Sequence, residues 1–182
     1  ESLRKLKTEL EPAVSSHHYL GYIVFDKSKR IIAATQEDLI GRKELEEYES
    51  FVLPALEGQT AICPPFGSLT IMKDQHGRMR TGVPTMFVSA PIRDARFQVI
   101  GVLAFRMRPD LEFTRILQLG RIGASGETYA FDKSGWMVSN SRFDDSLVLL
   151  GLLPDSEYSQ SLLNLQVKDP GGNLVKGYRP AV

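Results

Sequence analysis

Apolar residues along this chain follow two rhythms. Near the start, Leu3, Leu6 and Leu10 recur every three or four positions among charges, the stripe of an amphipathic helix. From Leu20 the spacing changes to short apolar runs on either side of Asp-Lys-Ser-Lys, which reads as two strands, residues 20–26 and 30–35, joined by a tight turn. Helical spacing returns in "RKELEEYESFVLPALEG", with Leu45, Tyr48, Val52 and Leu56 on one face and a stop at Gly58. Three further strands are predicted at residues 66–72, 84–92 and 99–107, separated by the polar turns "KDQHGR" and "RDARF". That order predicts an α+β unit: an antiparallel five-stranded sheet with helical material on one face, preceded by an N-terminal helix. Beyond Arg108-Pro109, "DLEFTRILQLGRIG" reads as a connecting helix with Asp110 as its N-cap.

The hairpin pattern then recurs. Phe25-Asp26-Lys27-Ser28 and Phe131-Asp132-Lys133-Ser134 are identical, and each is flanked by apolar or aromatic runs. A second hairpin is therefore predicted, 128–132 with 136–141, and with it a duplicated unit. After it only one weak strand is predicted, near 174–178, so the second unit reads as incomplete. The expected divisions are an N-terminal helix (1–19), a first unit (20–108), a connecting helix (109–122) and a second unit (123–182). The chain opens on Glu1 rather than Met, which predicts an excised or processed piece.

Charge narrows the partners. Lys plus Arg and Asp plus Glu each number 22, so nothing electrostatic asks for nucleic acid or an anionic membrane surface. No apolar run reaches the roughly 20 residues of a membrane span, and no leader peptide is visible. The one cysteine, Cys63, forms no internal disulfide. His17 and His18 are adjacent, hence about 100° apart on a helix, and have no acidic cluster beside them for a metal. Cys63 and His76 lack a third, orienting group for nucleophilic catalysis. "GRIGASGE" opens a strand rather than a helix, so it is a turn and not a phosphate loop. No cofactor is expected.

The leading helix, the five-stranded unit, the connecting helix and the second "GETYAFDKSGWMVSNSRF" unit together resemble the double Cache sensor domains. The most specific stretches are "GYIVFDKSKRIIAA", "MFVSAPIRDARFQVIGVLAF" and "GASGETYAFDKSGWMVSNSRF". These are PAS-like extracytoplasmic modules of bacterial histidine kinases, chemoreceptors, cyclases and some membrane Ser/Thr kinases. The resemblance implies a non-enzymatic domain whose first, membrane-distal unit holds a small molecule and whose second, membrane-proximal unit passes the signal on. It also implies a homodimer packed through the N-terminal helices, with membrane contact made only through transmembrane helices outside this sequence.

Strand alternation supplies the candidate ligand residues. Thr85, Phe87 and Ser89 share one face of their strand, opposite Met86, Val88, Ala90 and Ile92. On the closing strand Ile100, Val102, Ala104 and Arg106 share a face. A guanidinium late in an apolar strand must reach water, pair with a carboxylate, or await an anion. In amino-acid-sensing members of the family the equivalent place carries an Asp for the ligand's amino group, with an Arg-x-Trp-Tyr motif ahead of the fourth strand. This chain has neither, and its one Trp is Trp136. The resemblance thus points away from a free amino acid, and Arg106 suits a small carboxylate bound bidentately. Arg78 and Arg80 either close the pocket mouth or belong to a solvated turn. Phe66 either walls the pocket or packs the core, and Tyr48 faces ligand or core. The competing reading is a ligand-free dimerisation module of the same fold, which requires a pocket filled by side chains and an Arg106 that is paired or exposed.

Overall fold

Helix α1 (Ser2–Ser16) leads into a sheet whose two long strands, β7 (Pro84–Arg93) and β8 (Val99–Met107), form its centre. The computed structural model describes residues 1–179 except 44, 75, 121, 170 and 173–175. Strand β8 pairs antiparallel with β1 (Gly21–Asp26), and β1 with β2 (Ile31–Ala34). On the far side β7 takes two short strands, β3 (Ala61–Ile62) and β4 (Phe66–Gly67). The main path is thus five strands in the order β2-β1-β8-β7-β3. This is an α+β arrangement with an antiparallel sheet. Contacts divide the chain into two units, Glu1–Glu112 and Phe113–Val182.

Both faces of the sheet are apolar, because both are covered. On one face Tyr22 and Val24 of β1, with Ala33, are buried under Leu6, Leu10 and Val14 of α1. Leu3, expected on the same stripe, is 51% exposed instead. On the other face lies α2 (Glu46–Leu56), which buries Tyr48, Phe51, Val52 and Ala55. Phe51 stacks on Phe87 at 4.7 Å between centroids, Phe66 stacks on Phe87 from another side, and Tyr48 and Phe25 pack around them edge-on or tilted. This aromatic cluster is the core of the first unit. It buries a large apolar area with few side chains.

The repeated Phe-Asp-Lys-Ser is a turn device used more widely than the repeat. Asp26 Oδ1 accepts from the N–H of Ser28 (2.7 Å) and of Arg30 (3.0 Å), while Lys29 takes a φ of 62°. Asp132 Oδ1 does the same with Ser134 (2.8 Å) and Trp136 (3.0 Å), around Gly135 at 84°. Asp74 and Asp94 build the same loop with unrelated sequences, around Gly77 and Phe97. Each is a three-residue hairpin loop whose last residue is left-handed. Local turn chemistry therefore accounts for the shared Asp at both copies.

Three expectations change. The single strand expected at 66–72 is broken: β4 pairs with β7, and the chain then turns into a separate hairpin of β5 (Met72–Lys73) and β6 (Met79–Arg80). The break lies where Ser68 binds Val83 and Gly82 rather than a neighbouring strand. The long connecting helix is a π-helical turn, Pro109–Phe113, followed by the five-residue α3 (Thr114–Gln118). Asp110 does not cap it, because its carboxylate is taken by Arg108. The weak strand expected near 174–178 falls partly on Leu174 and Val175, which lie outside the described residues.

In the second unit, Phe131 bridges Met137 and Trp136 bridges Gln166, so hairpin pairing is present but short. Its interior is Met137, Val138, Leu153 and Leu162, with α4 (Asp144–Leu149) alongside the chain that follows the hairpin. Among the described residues no helix is long and apolar enough to cross a membrane.

Candidate functional site

Strand register sets a row across the first-unit sheet: Gly21 of β1, Arg106 of β8 and Phe87 of β7 are directly opposed. Gly21 has no side chain to extend into the space before Arg106, and a Cβ there would lie 2.8 Å from Thr35 Oγ1. The gap is part of a cavity of about 280 Å³. Its floor is Gly21, Ile23, Phe87 and Arg106, and the β5–β6 hairpin contributes Met72, Lys73 and Met79 to the opposite wall. That volume fits a small-molecule ligand.

Arg106 is held rather than paired. Its Nε donates to Thr85 Oγ1 at 2.9 Å, and Thr85 is wholly buried. Its Nη2 is buried with no hydrogen-bond partner. Burial lowers the guanidinium's pKa, an effect that Tyr48 opposes and the charge of Arg108 reinforces. The group stays cationic, since nothing in a protein deprotonates arginine near neutral pH. An unpaired buried cation is costly and calls for an anion.

Among the described residues three further buried atoms make no hydrogen bond of full geometry: Glu47 Oε1, Tyr48 OH and Thr70 Oγ1. Burial drives the Tyr48 phenol far above its ordinary pKa; a side-chain bond with Thr70 and the charge of Arg106 oppose the rise, and the charge of and bond with Glu47 reinforce it. Thr70 and Glu47 both lie within hydrogen-bonding reach of the Tyr48 phenol, and none of the three is among the residues lining the cavity at Arg106. Glu47 is fixed by its other oxygen, which accepts from Leu69 N–H at 2.8 Å. Thr70 is presented by an inverted stretch of chain. Ser68 and Thr70 are buried while the alternating Leu69 and Ile71 are 75% and 54% exposed.

The expected site residues distribute unevenly. Arg106 and Phe87 line the cavity, and Thr85 holds Arg106 from below. Tyr48 points its ring into the aromatic core and its hydroxyl into the orphaned cluster. Phe66 stacks on Phe87 and contacts Tyr48, outside the cavity lining. Ser89 is buried under α2 and donates to Phe51 O at 2.8 Å, a bond that ties helix to sheet. Arg78 is exposed in the hairpin loop, and Arg80 binds Asp74 at 3.1 Å. The hairpin reaches the cavity through Lys73 rather than through either arginine. Sequence reasoning passed over Glu47, Thr70 and Lys73. No sequence signal singled out Thr70, because the alternation in "SLTI" does not say which set of side chains turns inward. Cys63 is buried, accepts from Phe87 N–H and has its thiol pKa pushed up to about 11 by burial, so it is a poor nucleophile. Among the described residues no group of three or more His, Cys, Asp or Glu is placed to hold a metal.

No family model and no curated protein matches this chain. Solved structures do. The ligand-binding domain of the Campylobacter jejuni chemoreceptor Tlp3, in complex with 4-methylisoleucine, aligns over 86% of this chain and 55% of its own, at 13% identity and a TM-score of 0.54. The E. coli DcuS sensor domain aligns over 62% of this chain and 70% of its own, at 21% identity and a TM-score of 0.42. The sensor domain of the V. cholerae histidine kinase DctB aligns over 58% and 37%, at 16% identity and a TM-score of 0.41. The chain thus spans about half of the Tlp3 domain and a smaller share of the DctB domain. The Tlp3 alignment shows a shared fold, that of the PAS-like sensor domains; the other two are too weak to add to it.

Proposed function

We propose that this chain is the sensor part of a transmembrane signalling protein and that its first unit binds a small carboxylate at Arg106. The observation that carries this reading is the guanidinium itself: Nη2 is buried and orphaned beside a 280 Å³ cavity. The same observation disfavours the ligand-free module, which requires a filled pocket and a satisfied Arg106. The first unit is membrane-distal in this reading, the second is proximal, and the whole faces the extracytoplasmic side. Ligand binding acts as a population shift, closing the α2 and hairpin layer over the sheet, and its effect is bounded by the ligand's difference in affinity for the two states. Two copies meet through α1.

The test is a thermal-shift screen of the purified chain against small carboxylates, amino acids and amines. A carboxylate at one hundred times its Kd stabilises by about 2.7 kcal/mol, a rise of several degrees. The rise is expected to vanish in Arg106→Ala. Absence of any carboxylate response, or a response that survives Arg106→Ala, would sink the proposal.

A further inference from the structure

The cavity at Arg106 has one charged end and a wall that is otherwise largely apolar. Leu20, Ile23, Leu39, Met72, Met79 and Phe87 line it around the guanidinium. The remaining polar side chains of the lining are engaged elsewhere. Thr35 Oγ1 accepts from Tyr22 N–H at 2.9 Å, and Gln36 Nε2 donates to Ile71 O at 2.9 Å. Tyr22 packs with Val24 under α1. Lys73 is exposed, so its stem covers apolar wall while its ammonium keeps its water. A second anionic group on a ligand would be stripped of water with no buried cation to meet it, which is costly. Apolar surface stands in the opposite position. Leu20 and Met79 are 42% and 61% exposed at this cavity, and covering them is favourable.

We infer that the cavity selects monocarboxylates with an aliphatic body, the carboxylate at Arg106 and the chain along the methionine wall. This rests on the carboxylate reading at Arg106. At about 30 Å³ per water-sized group, 280 Å³ holds about nine non-hydrogen atoms, a carboxylate and about six further carbons. The body is aliphatic rather than aromatic because Phe87, the aromatic ring of the floor, is already stacked by Phe51 and Phe66. Met72 and Met79 come from the two strands of the hairpin, and their unbranched side chains adapt to a flexible chain laid against them. The guanidinium thus fixes one end of the ligand, and burial of apolar surface sets its length.

The experiment titrates the whole chain by calorimetry with butanoate, pentanoate, hexanoate and heptanoate, and with pimelate, which is heptanoate carrying a second carboxylate at its far end. Affinity is expected to rise about fourfold per added methylene, the worth of burying each one. Pimelate should bind at least about tenfold more weakly than heptanoate, because its far carboxylate loses water against an apolar wall. Met79→Ser changes an exposed position and should flatten the rise, lowering heptanoate affinity at least about fivefold while butanoate stays within about twofold. Lys73→Met should leave heptanoate affinity within about twofold. Arg106→Ala should weaken every member at least about tenfold. Equal affinity along the series, with Arg106 still required, overturns the aliphatic seat and leaves the carboxylate reading standing. Pimelate binding tighter than heptanoate, with that advantage lost in Lys73→Met, also overturns the seat, since Lys73 would then be the second cation of a dicarboxylate site. A series unchanged by Arg106→Ala overturns the carboxylate reading. No binding by any of the five overturns both.

Discussion

Replacing Arg106 and Thr85 together separates a binding role from a structural one. In the free chain Arg106 makes one side-chain bond, to Thr85, and leaves Nη2 buried and open. An unsatisfied buried polar group costs about 1–3 kcal/mol, more if charged, and a satisfied bond returns about 1 kcal/mol. Arg106→Met alone removes the orphan but strands Thr85 Oγ1 in the core, so the two effects nearly cancel. The double variant Thr85→Val, Arg106→Met removes the orphan and the bond together at nearly constant volume. It should be more stable than wild type by about 1 kcal/mol, a rise in Tm of about 4 °C for a unit of this size. The same variant should bind no carboxylate. Circular-dichroism melts without ligand and calorimetry with the probes above read the two halves separately. A double variant that melts several degrees below wild type refutes the reasoning, because Arg106 would then support the fold rather than await a ligand. The expected pattern, more stable and inert, is the usual signature of a site held ready at a stability cost.

Ser89→Ala should lower stability by about 1–2 kcal/mol in a denaturant titration, since it leaves Phe51 O without its buried donor, and should leave ligand affinity unchanged. Gly101→Ala should disrupt pairing at the β1–β8 edge, because the added Cβ would lie 2.5 Å from Phe25 O, a backbone atom that cannot move aside alone; hydrogen exchange of β1 amides reads this directly. The bond from Ser28 Oγ holds the Asp26 carboxyl below its ordinary pKa; burial opposes it, and the N–H groups of Arg30 and Ser28 and the charge of Arg30 add to the lowering. A depressed folded pKa adds stability that is fully present above the unfolded value near 4 and is lost as pH falls through the folded one. Melts should therefore drop in acid below about pH 4, and by less in Asp26→Asn.

The sheet was legible in the sequence because β7 and β8 alternate cleanly and their turns carry Asp at the first position. The alternation placed Thr85, Phe87 and Ser89 on one face of β7, and Ile100, Val102, Ala104 and Arg106 on one face of β8; the register, which opposes Phe87 to Arg106 and Ser89 to Ala104, joins the two faces, while Ile100 is 48% exposed. What failed was the stretch after Phe66. "FGSLTIM" has strand composition, but its apolar members point outward and its hydroxyls inward, and no apolarity pattern reports that inversion. The hairpin's contribution was misassigned for a related reason. Arginines stand out in a turn, yet Asp74 captures Arg80, and the cavity receives Lys73 from the strand instead. Glu47 was hidden among the acidic residues of "ELEEYE", where composition alone favours a solvated helix face. The connecting helix was overlong because Asp110 reads as a cap until Arg108 is known to take its carboxylate.

Strand β1 is a partition one residue thick. Gly21 and Ile23 look into the cavity, Val24 looks toward α1, and Tyr22 borders both. Nothing lies between the two compartments to absorb a displacement. A push on the backbone at 21–23 is delivered to Leu6, Leu10 and Val14 through the same side chains that keep them buried. The helix therefore rests on the site's own wall, and no relay of intermediate residues is needed for one to report on the other.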